Sequence, residues 1–280
     1  MAPPLKLLAF AAALAAVFGV ATLAGATVGP DRDGAEPSSD EGHGMEADGT
    51  APDPVRGLAV SDDGLKLSLE ATELERGTQS ELRFAVLGAS GAPVRDFDVE
   101  HEKRMHLIVV RRDGSGFQHL HPELAGNGTW RVPLTLPDAG SYRVFADFSH
   151  EGEARTLAAD LTVDGDADYR PLPEPAARAD AGDRYEVELS AASVRAGAEA
   201  DLDFAVTRGG ERVTPEPYLG ARGHLVALRE GDLAYLHVHP DEDSLAFMAE
   251  FPTEGRYRLY LQFKHRGEVR TAEFTREVLR

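Results

Sequence analysis

Two stretches of the chain hold the same three histidines in the same order. "MHLIVVRRDGSGFQHLHP" (Met105 to Pro122) and "GHLVALREGDLAYLHVHP" (Gly223 to Pro240) each contain a histidine, twelve further residues and then His-x-His-Pro. Between the histidines only Leu107/Leu225 and Arg111/Arg229 agree position by position. Common descent could preserve matched histidines as packing or hydrogen-bonding groups, but it would preserve their neighbours as readily. Imidazoles crowded together without a metal oppose each other's protonation and gain little, whereas neutral imidazole is a common metal ligand. The pattern therefore points to metal binding by His106, His119 and His121, and again by His224, His237 and His239.

These residues converge only if a hairpin holds them. "RRDGSG" reads as a turn between two strands, and a two-residue Asp113-Gly114 turn pairs Arg112 with Ser115 and hence His106 with His121. His119, two residues from His121, then lies on the same face, diagonal to His106. A Gly231-Asp232 turn likewise sets His224 opposite His239, with His237 diagonal. An odd loop would split either set across two faces. His150, two residues past Phe148, and His265, two past Phe263, fall at the ends of neighbouring strands and complete two equivalent sets of four, one expected ion per set. Met105 points to the opposite face and reads as core. His101 has no counterpart in the second stretch and reads as solvated, as does His43-Gly44-Met45 in its acidic surroundings.

The histidine stretches belong to a longer repeat. "ELRFAV" (Glu81 to Val86) matches "DLDFAV" (Asp201 to Val206), and "DAGSYRVFADFSH" matches "EGRYRLYLQFKH". One domain thus spans residues 57–163 and its copy residues 183–280, with residues 164–182, rich in Pro and charge, as a linker between independent halves. Within each copy, short segments such as "LKLSLEA" and "WRVPLTL" alternate apolar and polar residues, with turn residues about every ten positions, which suits a β-sandwich. Tyr142 and Tyr257 sit in tyrosine-corner contexts. A single cupin barrel, the rival for HxH motifs, fits the tandem repeat poorly.

Composition bounds the setting. A net charge of −19 over 280 residues speaks against a nucleic-acid partner, which requires a basic surface. With no cysteine, disulfides and thiolate metal sites are excluded, and with them a blue-copper centre. Residues 1–28 carry an uncharged run from Leu7 to Val28 that reads as an export signal or a membrane anchor, with Ala24-Gly25-Ala26 as a possible cleavage site. Residues 29–56 read as a disordered acidic tether, which leaves the remainder outside the cytoplasm.

The His-Leu-His-Pro and His-Val-His-Pro segments, with the repeat over residues 57–280, resemble exported bacterial metal-handling proteins built on two His-rich immunoglobulin-like or cupredoxin-like repeats. The resemblance implies an all-β chain of two tandem sandwiches and extracytoplasmic binding of copper or zinc for buffering, delivery or resistance. The HVH around Val238 is also similar to the metal strand of copper-zinc superoxide dismutases, but that family's cysteine pair and bridging-His loop are missing, which argues against dismutase activity. The competing class is an adhesive or scaffolding protein whose histidines are incidental. No Ser-His-Asp or paired-carboxylate arrangement suggests an enzyme.

Overall fold

A computed structural model describes residues 55–280 except Ala192, His237, Glu242 and the side chain of His239. The N-terminal apolar run and nearly all of the acidic tether lie outside the described residues, and no described helix is long and apolar enough to cross a membrane.

The described chain is all β, two tandem immunoglobulin-like sandwiches. In the first repeat, strands Leu65–Leu69, Ser80–Leu87 and Trp130–Leu134 are the centre of one sheet. The other sheet runs in the order Glu73–Leu74, Glu153–Val163, Gly140–His150, His106–Arg111, Gln118–Leu120. Leu82, Phe84 and Val86, every second residue of "SELRFAVL", face Leu107, Val109, Tyr142 and Val144 across the sandwich. The second repeat has its own core of Val187, Leu202, Phe204, Leu225, Leu259, Leu261 and Phe274. The tyrosine corner forms in both copies: the Tyr142 hydroxyl donates to the Asp138 carbonyl at 2.8 Å and that of Tyr257 to the Thr253 carbonyl at 2.9 Å.

The two residue matches inside the histidine stretches have structural causes. Leu107 and Leu225 are core residues of their repeats. Arg111 Nε donates to Asp113 Oδ1 and Arg229 Nε to Asp232 Oδ1, each at 3.0 Å, so each arginine braces its own hairpin turn. The Arg111–Asp113 pair is almost fully buried, and the carboxyl is held down to about 2 by its hydrogen bonds against the opposing effect of burial.

A third core lies between the repeats. Ile108, Val110, Phe145 and Ala158 of the first sandwich pack on Val226, Leu228, Leu233, Tyr235 and Tyr260 of the second. All six residues of His106–Arg111 are buried because this strand is covered on both faces. The contacts are reciprocal: Phe117 stacks on Tyr260 with centroids 4.0 Å apart, and the equivalent pair, Tyr235 and Phe145, meets at 5.6 Å. The repeats thus face each other across a local pseudo-two-fold axis. The connecting segment is docked against them, with the Leu172 side chain buried and its carbonyl accepting from Arg256 Nη2 at 2.9 Å. Two sandwiches joined by a free linker, the arrangement expected from the repeat and the Pro-rich spacer, did not allow for this interface.

Candidate metal centre

The first hairpin reaches the expected register by a different route. Gly114 N–H donates to the Arg111 carbonyl and Arg111 N–H to the Ser115 carbonyl, which closes an odd, three-residue loop, Arg112-Asp113-Gly114, instead of a two-residue turn. One extra residue at Gly116, where φ is 65°, then restores the parity, so Ile108 pairs with His119 and Leu107 with Leu120. His106, His119 and His121 therefore share the face turned toward the second repeat. One ring nitrogen from each of these three lies within 4.8 Å of the others.

His224 approaches this triad from the other repeat, by ring stacking and outside the set of mutually close nitrogens. Its ring centroid is 4.5 Å from that of His119 and 5.6 Å from that of His106, stacked on both. Of the expected second set, His237 and the His239 side chain lie outside the described residues. Ala227 pairs with Leu236 in the register that would bring His224 opposite His239, but Val238–Pro240 pairs with Ala246–Glu250 of the other sheet. His239 thus pairs in backbone with Met248, while the His237 position is outside the described residues.

His150 and His265 are engaged elsewhere, which corrects the two-sets-of-four arrangement. His150 Nδ1 contacts the Asp96 carbonyl at 2.9 Å, and His265 Nδ1 meets the Tyr185 hydroxyl at 2.6 Å. His101, read from sequence as a solvated residue without a role, sits at the rim, its ring 6.2 Å from His106 and 6.4 Å from His224. The tight turn that carries it is closed by the mutual Glu100–Lys103 backbone bonds, with positive φ at both His101 and Glu102.

The hydrogen bonds bear on where the protons are. The Glu100 carbonyl can only accept, so His106 Nε2, 3.2 Å away, carries a hydrogen. Gln262 contacts His119 Nδ1 through Oε1 at 2.7 Å and Thr271 Oγ1 through Nε2 at 3.2 Å; in this orientation of the amide His119 Nδ1 carries a hydrogen, and in the turned orientation His119 Nε2 does. In the first orientation His106 Nδ1 and His119 Nε2, 3.0 Å apart, are both lone-pair acceptors; in the second, His119 Nε2–H donates to His106 Nδ1. His121 Nε2 and His224 Nδ1 are enclosed and, among the described residues, without a hydrogen-bond partner. Burial, followed by mutual repulsion, lowers the His119 pKa to about 3 and the His121 pKa to about 4, and holds His224 well below the usual imidazole range. Burial lowers His106 as well, against the opposing pull of Asp147. These rings are therefore neutral and in ligating form at neutral pH.

The supporting residues are paired across the axis. Asp147 lies opposite His106 and Gln262 opposite His224 on the equivalent strand. Thr156 Oγ1 donates to Asp147 Oδ1 at 2.7 Å, as Gln262 contacts Thr271 in the second copy. Each then reaches into the other repeat, Asp147 Oδ2 accepting from the Tyr235 hydroxyl at 3.3 Å and Gln262 accepting from His119. Such orientation by outer groups is characteristic of histidine metal sites. Sequence reasoning missed Gln262, Asp147 and Tyr235, since nothing in their spacing ties them to a histidine in the other repeat.

Among solved structures, the chain is similar to the Lin-41 filamin domain at 14% identity, covering 40% of this chain and 98% of that one with a TM-score of 0.25. It is similar to the Escherichia coli adhesin FdeC at 14% identity, covering 79% of this chain and 66% of that one with a TM-score of 0.28. The endo-beta-1,4-mannanase from Thermotoga petrophila aligns at 16% identity over 36% of this chain, which spans 20% of that enzyme, with a TM-score of 0.25. No curated protein matches the sequence. The model of one family, the domain of unknown function DUF8832, matches twice, at residues 59–165 and 178–279, one copy on each sandwich, and the chain belongs to that family.

Proposed function

We propose that this protein binds a transition-metal ion, copper or zinc, through His106, His119 and His121, and that it does so outside the cytoplasm to buffer, deliver or resist that metal. The observation that carries the reading is the convergence of one ring nitrogen each from His106, His119 and His121 within 4.8 Å of one another, with His106 Nδ1 and His119 Nε2 only 3.0 Å apart. With Gln262 Oε1 toward His119, those two nitrogens are both neutral acceptors that repel, and a cation between or beside them turns the repulsion into ligation. The spacing suits two nitrogens bound to one metal at about 2.0–2.1 Å. An all-nitrogen set fits Cu(II) and Zn(II), and intrinsic affinity favours copper of the two. The extracytoplasmic address rests on the apolar run Leu7 to Val28 and the acidic tether behind it.

Titrating Cu(II) and Zn(II) into the full-length chain tests this, with His119→Ala plus His121→Ala as the comparison. Saturable heat and, for Cu(II), a d–d band in the wild type that the double variant loses are the expected results. Identical traces from both proteins would overturn the reading. The Gln262 amide would then be turned, so that His119 Nε2–H donates to His106 Nδ1, and the cluster would be a closed hydrogen-bond network that holds the repeats together.

A further inference from the structure

The metal reading so far uses only the first repeat, yet the fourth imidazole of the cluster comes from the second. His224 stands on the axis against its own equivalent, His106, with ring planes 11° apart. Its Nδ1 is enclosed and has no hydrogen-bond partner among the described residues, as is the case for His121 Nε2 in the same cluster. A cavity of about 30 Å³ lies against His106 and His224, lined also by Asp147 and Tyr235 among others, large enough for one ion or one water molecule. Asp147 supplies a negative charge to its lining, and it accepts hydrogen bonds from Thr156 and Tyr235, one in each repeat.

We propose that His224 is a ligand to the same ion as His106, His119 and His121, so that the chain holds one ion on its local two-fold axis, shared between the repeats, and that this ion fastens the repeats to each other. The proposal rests on the reading of the triad as a metal site and adds to it a stoichiometry and a mechanical consequence. An ion held by one sandwich stabilises that sandwich; an ion held by both also adds its binding free energy to their association. By reciprocity, anything that parts the interface of Ile108, Val110, Val226 and Leu228 weakens the ion.

The test measures Cu(II) and Zn(II) stoichiometry and affinity on the full-length wild type, on His224→Gln and on His237→Ala plus His239→Ala. Amide exchange of the wild type is followed with and without the metal. The expected results are one ion per chain, an affinity at least about tenfold weaker in His224→Gln, and metal-induced protection of Val226 and Leu228 together with Ile108 and Val110. Two ions per chain, one surviving in His224→Gln and lost in His237→Ala plus His239→Ala, would overturn the shared site and leave the first-repeat site standing. So would a single ion bound within about twofold of wild type by His224→Gln, since loss of a ligand costs more than that. No binding by the wild type overturns both readings. Should His224→Gln fail to fold, the exchange experiment decides by itself: protection confined to residues 106–121 refutes the shared ion.

Discussion

At the scale of single residues, burial decides how the cluster behaves with pH. An unfolded chain protonates its histidines at a pKa near 6.5, whereas the folded chain holds His119 neutral down to about 3. The folded pKa is depressed, so the stability is fully present above about pH 6.5 and is lost progressively as the pH falls toward the folded value. For His119 the slope approaches about 1.4 kcal/mol per pH unit. Melting curves in chelator at pH 7 and pH 5 are expected to show a drop that His119→Gln reduces; equal drops in both proteins would contradict the assignment. The same burial bears on metal release. Protons compete for the His119 and His121 nitrogens only near the lowered values of about 3 and about 4, so the folded chain is expected to retain its metal at pH 5, as dialysis against buffered metal would record. His101 is a separate case. Its φ of 46° and the 66° of Glu102 belong to a turn that Gly normally fills, at a cost of about 1–3 kcal/mol per non-Gly residue. His101→Gly is expected to raise the melting temperature of the metal-free chain. A lowered one would mean that the imidazole itself contributes to the fold beside His106 and His224.

At the scale of elements, the strands and the first hairpin were legible and the second partner of each face was not. The register of His106 with His119 and His121 followed from parity, and it survives because the Gly116 bulge offsets the odd loop. In the second repeat parity was equally right up to Leu236, but the pairing of Val238–Pro240 with Ala246–Glu250 of the other sheet is something no local pattern announces. A signal for the interface was present in the runs "HLIVV" and "HLVAL". Unlike "ELRFAV" they do not alternate, and an unbroken apolar run in an antiparallel sandwich means that both faces are covered. What covers the second face could not be read, because it lies in the other repeat. The element-level prediction follows: Phe145→Ala empties a fully buried site between the sandwiches, against Tyr235, and is expected to cost about 3–5 kcal/mol in a denaturant melt. A cost below about 1 kcal/mol would mean that the interface is loosely packed in solution.

At the scale of the whole molecule, duplication produced two sandwiches whose matching sheets recognise each other, as an isologous dimer does, except that a covalent segment joins them. That segment is held at several points. Asp113 Oδ2 accepts from the Arg170 N–H at 3.0 Å, Ser141 N–H donates to the Tyr169 hydroxyl at 2.7 Å, and Leu172 is buried. Beyond it, residues 174–177 are exposed. A protease site inserted between Ala176 and Ala177 should therefore be cut readily, while the interface of Ile108, Val110, Phe145, Val226, Leu228 and Tyr260 keeps the two pieces together. The nicked protein is expected to elute from a sizing column at the position of the intact chain, and added Cu(II) or Zn(II) is expected to raise the denaturant concentration at which the pieces part. Pieces that separate on cutting without denaturant, each still β by circular dichroism, would show that the apolar contact is too weak to hold the repeats and that the linker alone keeps the histidines within reach of each other.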